Sequence, residues 1–290
     1  MTKLKSILSY TLRFSKMVDN IILYTPFALA AVMFVGCIVY ELIQPPLTHE
    51  IRSTIYSIGG STVYYLSMLL CFLYGRKYGM GWFRSAIYTY LCFELVFSLV
   101  SVQWCNLDVK VLGTGSVASF RSLLFLPVLC FLLSRFDRRD TFTLCDYLTP
   151  YYLFMHGITT HHCWISGCCE GRTMSWGIID PSTGQPSFPA QPYAIILALG
   201  ISLWGLLYAR KRNCQTGGKV FAVSMIVYGF FRYVMEFFTD DMRVLGALSL
   251  YSIYSLIMFI LGMLVYFRKP KQPIEIKMYE TTDKTMEEQI

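Results

Sequence analysis

The sequence predicts an all-α, polytopic membrane protein with about eight transmembrane helices and both termini cytoplasmic. Three observations predict it. Only 15% of the 290 residues are charged and 55% are hydrophobic, whereas soluble domains carry about 25% charged residues. Apolar runs of roughly 18 to 23 residues recur from end to end, each long enough to span a hydrocarbon core of about 30 Å. Positive charge in the connectors alternates between rich and poor from one crossing to the next, as the positive-inside rule requires.

In chain order the runs are Ile21 to Tyr40, Ile55 to Tyr74, Trp82 to Val102, Ser116 to Leu133, Leu144 to Ile165, Pro192 to Tyr208, Val220 to Phe238 and Ala247 to Phe267. Backbone groups in lipid must be satisfied within the segment, so these runs are expected as helices. The alternation of a barrel strand is missing from them. The first run contains "FALAAVMF", but it is too long for a signal-peptide core and reads as a retained anchor.

The connectors justify the orientation. The N-terminal tail holds Lys3, Lys5, Arg13 and Lys16, and the next connector only Arg52. Arg76, Lys77 and Arg84 follow, then Lys110 alone, then Arg135, Arg138 and Arg139. Arg172 stands alone before Arg210, Lys211, Arg212 and Lys219, and Arg243 alone before Arg268, Lys269, Lys271 and Lys277. The net charge of +7 is thus mostly topogenic, with anionic headgroups as its partner and no nucleic acid implied. Three segments result. Residues 1–45 are a basic tail plus an N-terminal transmembrane helix, residues 46–268 a single transmembrane domain, and residues 269–290 a polar tail expected to be disordered.

The seventh run carries the most specific pattern. "YGFFRYVMEFF" places Tyr228, Arg232 and Glu236 at i, i+4 and i+8, on one helical face. An arginine inside a membrane run costs roughly 2.5 to 3.5 kcal/mol on insertion scales and usually faces the bundle interior. The bland alternative is an Arg232–Glu236 pair that snorkels to the outer interface. A guanidinium binds phosphate bidentately and keeps its charge when partly desolvated, so a phospholipid headgroup is a natural ligand. Arg121, in "ASFRSLLF", is either a second such cation or an interfacial anchor.

"HHCWISGCCEGR", residues His161 to Arg172, stands at the outer end of the fifth run. It has enough ligands for zinc, but the adjacent Cys168 and Cys169 rarely converge on one ion, so no metal is expected. A disulfide of Cys163 with Cys168 or with Cys169 stays open. The remaining seven cysteines read as apolar packing. The loop that follows, "TMSWGIIDPSTGQPSFPAQP", is rich in turn residues and expected to be irregular. Long loops in compact bundles are often functional. There is no Walker loop, no G-x-S-x-G and no paired acidic dyad.

These stretches together resemble the prolipoprotein diacylglyceryl transferase family of bacterial inner-membrane enzymes, from about Tyr56 to Arg268. "CDYLTPYYLFMHGITTHHCWISGCCEGR" is similar to the family stretch that begins with Asp, passes a Pro and ends G-R-x-G-N-F-x-N-G-x-x-x-G-R, matching Asp146, Pro150, Gly167, Gly171 and Arg172. "FPAQPY" resembles H-P-S-Q-L-Y through Pro189, Gln191 and Tyr193. "YGFFRYVMEFFTDD" is similar to Y-G-x-x-R-x-x-x-E-x-x-R-x-x-D through Tyr228, Gly229, Arg232 and Glu236.

The resemblance implies transfer of the diacylglyceryl group of phosphatidylglycerol to the lipobox cysteine in a prolipoprotein signal peptide. The reaction takes place on the outer side of the bacterial cytoplasmic membrane, with no cofactor. It also implies that residues 1–45 are an addition to a seven-helix plan. Arg232 would clamp phosphate, Tyr228 would serve as hydroxyl partner, and His162 (or His161) would supply the base. Arg172, Arg121, Gln191, Tyr193, Glu236, Gly167 and Gly171 would surround the substrates. The pattern also departs from the family: its arginine in G-R-x-G-N-F falls on Thr160, its histidine before P-S-Q on Phe188, and its glutamate after the Tyr on Ala194. Two rivals therefore stand beside the transferase. One is a non-catalytic phospholipid- or lipoprotein-binding relative, and the other a metal or redox protein built on the Cys/His run.

Overall fold

The computed structural model describes residues 2–43, 49–100, 119–137, 139–166, 171–179, 184–239, 243–245 and 248–268. Eight α-helices are present among them: α1 (Thr2–Ile43), α2 (His49–Tyr74), α3 (Trp82–Tyr90), α4 (Leu126–Asp137), α5 (Thr141–Ser166), α6 (Ala190–Lys211), α7 (Lys219–Met235) and α8 (Leu250–Phe267). A π-helical stretch, Leu91–Val100, prolongs α3, and a 3-10 stretch, Ser119–Phe125, leads into α4. Where they are described, the apolar runs of the sequence fall on these helices or their extensions, except that Leu248–Ser249 pairs as a strand ahead of the last helix. The basic N-terminal tail is helical as well and continues into α1.

Four helices among the described residues are long and apolar enough to cross a membrane: Met17–Tyr40, Ala190–Lys211, Lys219–Phe238 and Leu250–Phe267. The fold is therefore mainly helical and membrane-type.

α5 is the central helix. Leu144, Tyr147, Leu148, Tyr152 and Leu153 are fully buried, so apolar residues occupy every face, as expected for a helix enclosed by its neighbours. Its tyrosines use their polar tips inside the core. Tyr147 donates to the Cys71 carbonyl at 2.7 Å, and the Tyr152 hydroxyl pairs with that of Ser122. Pro150 lies inside the helix, where it removes one backbone donor.

Asp146, also on α5 and fully buried, reaches the start of α7. Its carboxylate accepts from the Gly218 and Phe221 amides, each at 2.7 Å, and from the Thr216 hydroxyl. It thereby satisfies helix-terminal donors that have no intrahelical partner. α7 and α8 then press together closely. A Cβ on Gly229 would stand 2.8 Å from backbone atoms of Ser255 and Phe259, and one on Gly262 2.8 Å from Ala222 and Ile226. The glycines allow this approach, which brings the C-terminal part of α7 against the start of α8.

The cationic connectors gather at one end of the bundle. Lys77 pairs with Asp19 at 2.7 Å, Arg210 donates to the Asn20 side chain at 2.7 Å, and Arg268 pairs with Asp140 at 2.6 Å. Arg139 donates to the Tyr78 carbonyl and, at 2.8 Å, to that of Gly79. At the opposite end lies the loop expected to be irregular. It forms an antiparallel ribbon of β1 (Thr173–Ile179) with β2 (Pro186–Ser187), because ladder hydrogen bonds satisfy its backbone away from any helix. A second ribbon, β3 (Arg243–Leu245) with β4 (Leu248–Ser249), leads into α8.

Candidate functional site

The site is built where α7 ends beside α5 and α8. The i, i+4, i+8 spacing is realised on one face: Tyr228 is buried, Arg232 keeps 16% of its side chain exposed, and Glu236 keeps 1%. Arg232 Nη2 lies 2.7 Å from Glu236 Oε1. The second carboxylate oxygen, Oε2, accepts from the Ser249 hydroxyl at 2.8 Å. Ser249 is the N-cap of α8, and its oxygen in turn accepts from the Ser252 amide at 3.0 Å. The guanidinium also stands over the Tyr251 ring, 5.7 Å from its centre. Arg232 is thus oriented by a carboxylate that the next helix holds in place, and a buried, hydrogen-bonded pair of this kind has one geometry rather than many.

One turn back along α7, the Tyr228 hydroxyl lies 2.5 Å from His156 Nε2, the rings meeting at 84°. His156 belongs to α5. The sequence reading did not single it out, because "LFMHGITT" gives a lone histidine on an apolar helix no motif. Its helical register was the available signal. Asp146, Thr149, Tyr152 and His156 recur at i, i+3, i+6 and i+10, so the buried polar groups of α5 share one side.

The other predicted residues distribute as follows. Gln191 is buried at the start of α6 and Tyr193 is half-exposed two residues on. Tyr193 stacks on Phe188 at 5.5 Å, and Phe188 stacks on Phe238, just past Glu236, at 4.8 Å. The Arg172 amide donates to the Phe238 carbonyl at 2.8 Å, and the Phe188 amide donates to the Arg172 carbonyl at 3.0 Å. The ribbon loop is therefore fastened to the end of α7. Gly171 permits this closeness, since a Cβ there would run into the Phe188 backbone.

His161 Nδ1 bonds the Gly157 carbonyl at 2.8 Å within its own helix. Thr160 likewise donates to the His156 carbonyl at 2.7 Å. Gly167, Cys168 and Cys169, together with the side chains of His162, Cys163 and Arg121, lie outside the described residues. No group of three or more His, Cys, Asp or Glu side chains is placed to hold a metal among the described residues.

The arrangement places an oriented, partly exposed cation and a hydroxyl–imidazole pair on adjacent turns of α7, with the ribbon loop fastened to the end of that helix. The family model for prolipoprotein diacylglyceryl transferase matches residues 7–268. The chain belongs to this family. Its match begins inside α1 and runs to the end of α8.

Among similar proteins, phosphatidylglycerol–prolipoprotein diacylglyceryl transferase 2 of Clostridium perfringens is 31% identical over 138 residues, or 45% of this chain and 53% of that protein. The phosphatidylglycerol–prolipoprotein diacylglyceryl transferase of Clostridium tetani is 27% identical over 172 residues, 55% of this chain and 68% of its own. That of Paracidovorax citrulli is 37% identical over 95 residues, 30% of this chain and 34% of its own. The chain spans about half the length of the first of these and about a third of the last.

Proposed function

We propose that this member of the prolipoprotein diacylglyceryl transferase family transfers the diacylglyceryl group of phosphatidylglycerol to the lipobox cysteine thiol of a prolipoprotein. The observation that carries this reading is the Arg232–Glu236 pair set beside the His156–Tyr228 contact. The thiol sulfur attacks the glyceryl carbon that bears the phosphate. The carbon–sulfur bond forms as the carbon–oxygen bond breaks, and the electron pair leaves with glycerol phosphate.

Arg232, oriented by Glu236, faces the charge that grows on the departing phosphate, where a preorganised cation contributes most. His156, through Tyr228, takes the thiol proton. The thiolate is the stronger nucleophile. Gln191, Tyr193, Gly171 and Arg172, on the loop and helix that close over the end of α7, bound the space for the two substrates. No cofactor takes part.

The topology belongs to the same proposal. The chain crosses a bacterial cytoplasmic membrane eight times, with both termini cytoplasmic and the Arg232 end toward the outer leaflet. The cluster of Asp19, Lys77, Arg139, Asp140, Arg210 and Arg268 at the other end supports this orientation, since those cations come from the connectors assigned to the cytoplasm.

The test uses purified protein, phosphatidylglycerol vesicles and a lipobox peptide, read by mass spectrometry, with Arg232→Ala in parallel. A mass gain on the peptide cysteine that the variant abolishes is expected. A second reading, a phospholipid-binding relative without catalysis, is favoured by Thr160, whose hydroxyl is turned back onto its own helix, and by Phe188, which stands in an aromatic stack. Neither offers the cation or base that the family pattern has at these positions. Phosphatidylglycerol binding that depends on Arg232, with no mass gain, would select that second reading.

A further inference from the structure

At the end of the bundle away from Arg232, a cleft opens between α1, α2, α5 and α6. Leu23 and Phe27 of α1, Leu70 and Leu73 of α2, Phe154 of α5 and Leu206 of α6 form its apolar wall. It is a partly open groove rather than an enclosed cavity. The mouth is polar and net positive. Lys77 and Arg210 line it and Asp19 is the carboxylate beside them. Lys77 Nζ lies 2.7 Å from Asp19 Oδ2, but both side chains keep about a third of their surface in solvent, 37% and 34%. Arg210 donates to a neutral amide oxygen, that of Asn20 at 2.7 Å.

An open apolar groove under two cations has the chemistry of a site for an amphiphile with an anionic head. We propose that this cleft binds an anionic phospholipid of the inner leaflet. One acyl chain lies along Phe27, Leu70 and Phe154, and the phosphate sits between Lys77 and Arg210. Asp19 is then an internal competitor: its carboxylate holds Lys77 when no lipid does, and the phosphate displaces it. α1 contributes one wall of the cleft and the competing carboxylate, so lipid occupancy would link this helix to the rest of the bundle. The leaflet rests on the orientation proposed above and the ligand chemistry on the cleft itself; neither depends on the catalytic reading of the Arg232 site.

The experiment is native mass spectrometry of the full chain titrated with phosphatidylglycerol, with phosphatidylcholine as the neutral control. It is run in the Arg232→Ala background so that binding at the other end is removed from the count. Retention of phosphatidylglycerol over phosphatidylcholine is expected. It should weaken by about fivefold for Lys77→Gln or Arg210→Gln and by about thirtyfold for both, as befits interfacial cations.

Asp19→Asn should act in the opposite direction and tighten binding, because it removes the competitor. If Lys77 and Asp19 were only a structural strut, Asp19→Asn would weaken or destabilise as Lys77→Gln does, and that outcome overturns the proposal. Equal retention of both lipids overturns it too, as does competition by glycerol phosphate that matches that of the whole lipid. Unchanged binding between Arg232→Ala and the native chain would count against the Arg232 site and leave the cleft standing.

Discussion

The two ends of α7 each bury an acidic group, and the groups are put to different use. At the N-terminal end, Asp146 spends its carboxylate on two backbone amides and a threonine hydroxyl of the chain entering the helix. At the C-terminal end, Glu236 spends its own on Arg232 and Ser249, and the guanidinium it orients is still partly open to its surroundings. Burial of charge is therefore a poor guide to function by itself. What decides is where the partners come from. A carboxylate saturated by donors of the chain entering a helix holds two helices in register, and one that aims a partly exposed cation leaves that cation able to meet a ligand.

The largest expected effect breaks the structural end. Asp146→Ala leaves three buried donors without their acceptor, at about 1 to 3 kcal/mol each, so the unfolding midpoint of the protein in detergent should fall steeply and activity should vanish with the fold. If the midpoint holds, Asp146 is no cap. Arg232→Lys addresses the other end. It keeps the charge and loses the fork, so transfer should drop roughly 10²- to 10³-fold while the midpoint stays near that of the native chain. A loss of stability equal to that of Asp146→Ala would erase the distinction between the two ends.

Next come His156→Gln and Tyr228→Phe. Each should lower transfer about 10²-fold or more if the pair moves the thiol proton, and the double variant should be no worse than the poorer single one, since the two act as a unit. Multiplying losses in that cycle would mean that they serve separately. Gly171→Ala should cost about 1 to 3 kcal/mol of stability by overpacking and a modest part of the activity, by pushing the ribbon loop off Phe188; proteolysis of the loop in the folded protein is the readout.

The smallest effect lies in the connector that Asp146 caps. Burial pushes the Cys214 thiol up to about 11, above its ordinary value near 8.5. The folded chain thus holds a proton that the unfolded chain releases between these values. Stability from this thiol is complete below about pH 8.5 and declines as pH rises through 11. Cys214→Ser should flatten the fall of the unfolding midpoint across that interval, and an unchanged slope would remove the effect.

Much of this was legible because membrane physics leaves little choice. The described parts of the apolar runs are helical but for Leu248–Ser249, for a backbone in lipid has no other partner for its polar groups. The face shared by Tyr228, Arg232 and Glu236 followed from the 3.6-residue period alone. His156 could not be read in the same way. Its importance comes from Tyr228, 72 residues away in sequence, and no local pattern encodes which helix packs against which. The ribbon of Thr173–Ile179 with Pro186–Ser187 has no such signal either, because turn residues mark where regular structure stops and not how a loop then pairs with itself.

By itself, the sequence determined the helical membrane class, the alternation of charged and uncharged ends, the carriage of Arg232 on a membrane helix and the resemblance to the family that the chain joins. Hydrophobicity, charge and helical period are properties of short stretches and survive without neighbours. Only the tertiary structure decided that Asp146 is a cap, that His156 meets Tyr228, that Glu236 is steadied by Ser249 of the next helix, and that Lys77 and Arg210 guard one cleft. Each of these depends on a contact between helices, and such contacts are set by packing of side chains that lie far apart in the chain.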